Sequence, residues 1–246
     1  TAVDYLERYG LLSPSLTIGH GVWLTEGDIE KVVDARVHVC HNCSSNFRLR
    51  SGIAPLNQLE RAGVNVAIGI DEAGINDDRD MLQEMRMVLN AHRVPGYDPA
   101  DVPTSGQVLR MATSGGAATT PYGDTIGRLA PGCHADAVLL DWRSLSRPYL
   151  DPETQLIDAV VARSKQHSVT AVVIGGETVY KDGVFTRVDR EAIFDEIERQ
   201  LAQPLTAAEI QRRRTATQIY PYVRAFYETY LPTGDHRPFY RFNAAD

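Results

Sequence analysis

The sequence predicts an α/β fold: a parallel sheet with its helices, then a small antiparallel sheet, then C-terminal helices. Three observations predict it. Between residues 16 and 92 short apolar runs alternate with amphipathic helical stretches. That order implies parallel strands joined by right-handed crossovers. After about residue 124 the runs are split by Gly175-Gly176 and Lys181-Asp182-Gly183, which are hairpin turn signals. From residue 190 onward a helical period returns.

Taken in order, residues 3–12 read as a helix with Val3, Leu6, Leu11 and Leu12 on its apolar side and Gly10 near its end. A strand follows at 16–22. Thr25-Glu26-Gly27-Asp28 opens a helix through Val33, with Thr25 as N-cap and Asp28 at the capping-box position. Strand 37–41 comes next, then a helix over 55–62 with Pro55 in its first turn. Val64, Val66, Ile68 and Ile70 alternate along a buried strand at 64–70. A long helix covers about 79–92, with Met81, Leu82, Met85, Val88 and Leu89 as its buried stripe. The segments 135–141, 169–174, 178–180 and 184–188 form the antiparallel part. Residues 190–230 are helical, with Arg212-Arg213-Arg214 on a solvated face, and the tail 232–246 wraps a neighbour. Three domains result: 1–124, 125–189 and 190–246.

Composition excludes several classes. The net charge is -7 over 246 residues, whereas phosphate recognition needs a concentrated basic surface. Nucleic acid is therefore not expected as a partner. No run of 18 apolar residues exists, so no transmembrane helix or membrane partner is expected. Thr1-Ala2-Val3-Asp4-Tyr5 carries no signal-peptide pattern. Three cysteines cannot all pair, which suggests reduced thiols and a cytoplasmic setting. Cys40 and Cys43 form a Cys-x-x-Cys pair, but without a second pair a redox or structural-zinc role is disfavoured.

The chemistry is concentrated where strands end. Asp71 closes the strand 64–70, and a charge there costs several kcal/mol unless compensated. A metal ion or a reacting substrate is the usual compensation. Leu16-Thr17-Ile18-Gly19 runs into His20, and Val37-His38-Val39-Cys40 runs into His41-Asn42.

These residues carry a resemblance to the amidohydrolase superfamily. Gly19-His20-Gly21-Val22-Trp23-Leu24 resembles the family's sixth-strand motif. His41-Asn42-Cys43-Ser44-Ser45-Asn46, followed by Ser51-Gly52-Ile53-Ala54-Pro55, looks like its seventh-strand signature. Gly69-Ile70-Asp71 with Asn76-Asp77-Asp78 looks like the eighth strand and loop, and Gly127-x-Leu129-x-Pro131-Gly132-x-x-Ala135-Asp136 looks like the return to a small β domain. Within the superfamily the chain looks most like the branch of cytosine, guanine and S-adenosylhomocysteine deaminases and triazine chlorohydrolases. The resemblance implies the C-terminal part of a (β/α)8 TIM-type barrel, part of a small β-sandwich domain, and C-terminal helices. The family's His-x-His pair and fifth-strand His are not in these 246 residues. Either Thr1 is a truncation point or another chain supplies the missing N-terminal half of the barrel.

On this resemblance Asp71 is a metal ligand and proton shuttle, and His20 orients the attacking water and stabilises charge on the substrate. The structural readings are a helix N-cap or a loop salt bridge for Asp71 and a core histidine satisfied by backbone for His20. Asn42, Ser45 and Asn46 shape the loop or touch substrate, and His41 orders it. Glu72 contacts a ring N–H or amino group, or pairs outward with Arg48, Arg50 or Arg79. Asp77 and Asp78 cap the following helix. His134 and Asp136 are read as surface, and His92, His167 and His236 have no partner in sequence. The implied function is metal-dependent hydrolysis, deaminating a purine, pyrimidine, pterin or triazine by attack of metal-bound hydroxide. The cofactor is one divalent metal, zinc or iron. A homo-oligomer acting on a small heterocyclic substrate is expected, with this fragment inactive alone. The alternatives are dechlorination, cyclic amide hydrolysis, or a metal-free scaffold paralogue.

Overall fold

A computed structural model describes residues 1–72, 77, 79–94 and 96–228. The predicted loop at 73–78 is thus described only at Asp77, and the tail 232–246 lies outside the described residues. The described residues divide into two compact units, 1–186 and 187–228.

The first unit opens with helix α1 (Ala2–Arg8), capped by Thr1. It stops short of the predicted residue 12 because Gly10 takes φ +64°, a left-handed turn that ends a helix. Strand β1 (Thr17–Gly19), helix α2 (Glu26–Asp34) and strand β2 (His38–His41) follow. The capping box at Thr25 and Asp28 forms as the sequence predicts. Helix α3 (Cys43–Arg48) and helix α4 (Leu56–Arg61) lead to strand β3 (Val66–Ile68). The three strands are parallel in the order β1-β2-β3, with Thr17 opposite His38 and His41 opposite Ile68. Among the described residues they form an open sheet.

Along β2 the side chains alternate between two environments. Val39 and His41 are buried, while His38 and Cys40 are half-buried, as a period of two requires. The buried face packs into a core that includes Val32, Val66, Leu56, Leu59, Val88 and Met111. Part of that core comes from helix α5 (Met81–Ala91). Its N-cap is Asp80, whose carboxylate accepts from the N–H groups of Leu82 and Gln83 at 2.9 and 3.2 Å. This corrects the expectation that Asp77 and Asp78 cap the helix; Asp78 lies outside the described residues.

Helix α6 (Ser105–Arg110) runs on through a π turn (Met111–Gly115) and a last α turn (Gly116–Ala118). Sequence periodicity gave no sign of this run. It reaches β3 closely: a Cβ on Gly115 would stand 2.6 Å from the Val66 carbonyl oxygen. Asn65 seals the contact by donating to the Gly115 carbonyl at 3.0 Å.

The second sheet is antiparallel, β4 (Ala137–Leu140), β5 (Val169–Ile174), β6 (Glu177–Lys181) and β7 (Val184–Phe185), in that order. Gly175-Gly176 and Asp182-Gly183 form its two-residue turns with positive φ throughout, the geometry that matches strand twist. Helices α7 (Trp142–Ser146) and α8 (Leu156–Arg163) lie between β4 and β5 in sequence. Val138, Ile174 and Val184 are exposed on this sheet.

The second unit contains helices α9 (Arg190–Leu201) and α10 (Ala207–Glu228). Arg212, Arg213 and Arg214 are exposed there. No described helix is long and apolar enough to cross a membrane.

Gly115→Ala is expected to destabilise the full-length protein by about 1–3 kcal/mol, because the colliding atom is backbone and cannot give way. Gly106→Ala, at the second residue of α6 with no neighbour closer than 3.9 Å, is expected to be neutral or stabilising by up to about 1 kcal/mol. Urea titrations of both variants check the contrast, and equal effects would contradict the close-approach argument.

Candidate active site

The site residues gather where the parallel strands end. His20 immediately follows β1 and Asp71 lies just beyond β3. Both adopt left-handed backbone, at φ +69° and +62°. That conformation costs a non-glycine residue roughly 1–2 kcal/mol and is concentrated at functional positions.

The element between them is α3, which starts directly after the central strand. Ser45 and Asn46, consecutive residues of this helix, are both buried. The Ser45 hydroxyl donates to Asp71 Oδ2 at 2.6 Å. Asn46 Oδ1 faces His20 Nδ1 at 2.9 Å. A single short helix therefore orients both chemical groups. Asp71 Oδ1 also accepts from the Glu72 backbone N–H at 2.8 Å.

These contacts set the electrostatics. The Ser45 hydroxyl holds the Asp71 carboxyl below its ordinary range, with the Glu72 N–H and His20 adding to it and partial burial opposing it. Asp71 is thus ionised at neutral pH. With an amide oxygen facing it, His20 Nδ1 is the donor of that contact, and Nε2 becomes an acceptor whenever it holds no proton. That nitrogen stands 3.5 Å from Asp71 Oδ2. Two acceptors at that spacing suit a proton or a cation held between them.

Helix α3 is itself held from outside. Asn42 occupies its N-cap position without a side-chain cap bond, because its Oδ1 accepts the Cys40 S–H at 3.6 Å. Glu84 of α5 serves instead, accepting the Ser44 N–H at 2.9 Å, and its negative charge suits a helix N-terminus. Gly69 makes room for Asn42: a Cβ there would run into Asn42 Oδ1 and lie 2.8 Å from Cys40 Sγ.

The predicted residues thus divide. His20, Asp71, Ser45 and Asn46 come together, and Asn42 is buried beneath them. Glu72 is exposed, and no ion pair with Arg48, Arg50 or Arg79 is found among the described residues. His134 is exposed and Asp136 accepts from the Gly175 N–H at 2.7 Å, a turn contact consistent with a surface role. His92 does have a partner: its Nε2 lies 3.0 Å from His41 Nε2 in the core. Sequence reasoning missed this pairing and the Glu84 cap. Both join residues 40 or more positions apart, with no local signal. Cys40, Cys43 and Cys133 are free thiols.

Solved structures share this architecture. A zinc-bound adenosine deaminase from Xanthomonas campestris superposes with a TM-score of 0.74 at 31% identity, over 80% of this chain and 44% of that one. Guanine deaminase from E. coli matches in fold with a TM-score of 0.64 at 24% identity, over 73% of this chain and 42% of that one. The sequence model of the amidohydrolase family matches residues 1–179, and the chain belongs to that family. It is 39% identical over 200 residues to a 5-methylthioadenosine/S-adenosylhomocysteine deaminase of Pelotomaculum thermopropionicum, covering 81% of this chain and 45% of that protein. It is 35% identical over 206 residues to a 5'-deoxyadenosine deaminase of Methanopyrus kandleri, covering 84% of this chain and 46% of that protein. The chain spans under half the length of these relatives.

Ser45→Ala is expected to raise the Asp71 carboxyl pKa, since it removes the bond that most favours the ionised form. A carbon-13 titration of the Asp71 carboxyl in the full-length protein reads the shift. An unmoved pKa would remove Ser45 from its role.

Proposed function

We propose that this chain is the catalytic C-terminal part of a metal-dependent aminohydrolase acting on adenine nucleosides. The carrying observation is the facing pair of His20 Nε2 and ionised Asp71 Oδ2, both oriented by α3. β1, β2 and β3 correspond to strands six to eight of a (β/α)8 TIM-type barrel. Three strands cannot close such a barrel, and the relatives are more than twice as long as the matched segment. The rest of the barrel comes from sequence beyond these residues. On this reading residues 1–124 belong to the barrel, 125–189 to the small β domain and 190–246 to the C-terminal helices. The exposed Val138, Ile174 and Val184 would pack against the remainder of the small β domain.

The donor set fits a divalent cation. Asp71 offers an ionised carboxylate oxygen beside an imidazole acceptor, and would supply one ligand, with the others lying outside this chain. Bound there, a zinc or iron ion would acidify water and offset negative charge in the transition state. Asp71 would take the proton of the attacking water and pass it to the departing amino group. His20 would orient that water and stabilise charge growing on the purine ring. Water adds to the ring carbon bearing the amino group, the carbon–nitrogen bond breaks and ammonia leaves.

Asn46 would hold the ring of His20, and Ser45 the carboxylate of Asp71, as positioning residues. Glu72, exposed next to Asp71, would meet the substrate, and Asn42 would shape the floor below it. The named activities of the relatives support an adenosine-type substrate over pterins or triazines. Free thiols support a cytoplasmic enzyme.

The test is ammonia release by the full-length protein from 5'-methylthioadenosine, S-adenosylhomocysteine, adenosine, guanine and a triazine. Asp71→Asn is expected to cut kcat by about 10²–10⁴-fold and to lower bound metal. Activity confined to the non-adenine substrates would overturn the substrate class, and full activity in Asp71→Asn would overturn the mechanism.

A further inference from the structure

We propose that His41, Cys43 and His92 form a second metal site, for a borderline-soft cation such as zinc, between the parallel sheet and its helices. One ring nitrogen of each histidine and the Cys43 sulfur lie within 4.8 Å of one another, and all three residues are buried. A His2Cys set of this kind favours zinc over magnesium or calcium, which prefer oxygen.

The two imidazoles are close to the spacing such an ion needs, and the Cys43 sulfur, within 4.8 Å of them, would draw in toward the roughly 3.6 Å that a tetrahedral site sets. His41 Nε2 and His92 Nε2 are 3.0 Å apart. Two imidazole nitrogens, each about 2.0–2.1 Å from a tetrahedral zinc, stand roughly 3.3 Å apart. The rings would part by only a few tenths of an ångström. His41 is 1% exposed, and its Nδ1 has no hydrogen-bond partner among the described residues. The Glu84 carboxylate lies near Cys43 and adds negative charge to balance a cation. On binding, the Cys43 thiol gives its proton to solvent and the sulfur bonds the metal as thiolate, while both imidazoles bind neutral.

Its three ligands are distinct from His20 and Asp71, and His20 lies close enough to His41 to act on its charge. His41 shares the buried face of β2 with Val39, whereas Cys40, on the alternate face, neighbours Asp71. The ligands come from the end of β2, the first residue of α3 and the residue that ends α5. An ion here would tie α5 to the strand–helix junction that carries Ser45 and Asn46. The inference does not depend on the proposed reaction.

Cobalt tests it. Full-length protein from cobalt-supplemented medium is expected to show a near-ultraviolet thiolate-to-cobalt charge-transfer band. The band should survive Asp71→Asn and Cys133→Ser and vanish in Cys43→Ser. Absence of the band in the unmodified protein, or its persistence in Cys43→Ser, overturns the site. If Cys43→Ser does not fold, zinc-edge X-ray absorption of the unmodified protein decides. A sulfur shell at about 2.3 Å supports the site, and a shell of nitrogen and oxygen alone overturns it. Loss of catalysis with the sulfur signal intact would count against the proposed function and not against this site.

Discussion

The arrangement depends on one short helix. Residues Cys43–Arg48 begin where the central strand ends, so their side chains reach the ends of both neighbouring strands. Ser45 holds Asp71 on one side and Asn46 meets His20 on the other. A helix of six residues has little stability of its own. It persists because its residues are buried, because Glu84 supplies the cap Asn42 does not, and because Gly69 lets the N-cap residue approach the next strand.

Two magnitudes bear on this arrangement. Left-handed backbone at Asp71 costs about 1–2 kcal/mol. A hydrogen bond to a charged group returns about 1.5–3 kcal/mol when shielded from water. Asp71 accepts two, from Ser45 and from the Glu72 N–H. At this exposure water competes for both, so they offset only part of the backbone cost. The left-handed backbone turns the carboxylate toward the imidazole. Folding the core and aiming the site are one event here, since Glu84 belongs to α5, whose Val88 and Leu89 fill the core beneath the sheet.

The strand–helix alternation, the Thr25–Asp28 capping box and the two glycine-bearing hairpins were legible because each is set within a few residues by periodicity or turn chemistry. The strand-end positions of His20 and Asp71 were legible for the same reason. Strand lengths were overestimated, since apolar alternation extends past the last ladder hydrogen bond. Helices α3, α6, α7 and α8 were not foreseen. The Ser45-Asn46 segment is polar yet buried, and the run after Arg110 widens into a π turn, so neither shows an ordinary helical stripe.

The sequence by itself determined the order of elements, the class of fold and the two residues at the strand ends, because these follow from local hydrophobic pattern and motif. Only the tertiary structure decided which polar groups meet. Ser45 with Asp71, Asn46 with His20, Glu84 with the start of α3, and His41 with His92 join residues 26 to 51 positions apart. No local period encodes such pairs. They exist because parallel strands place their ends side by side and the core leaves each buried polar group few partners.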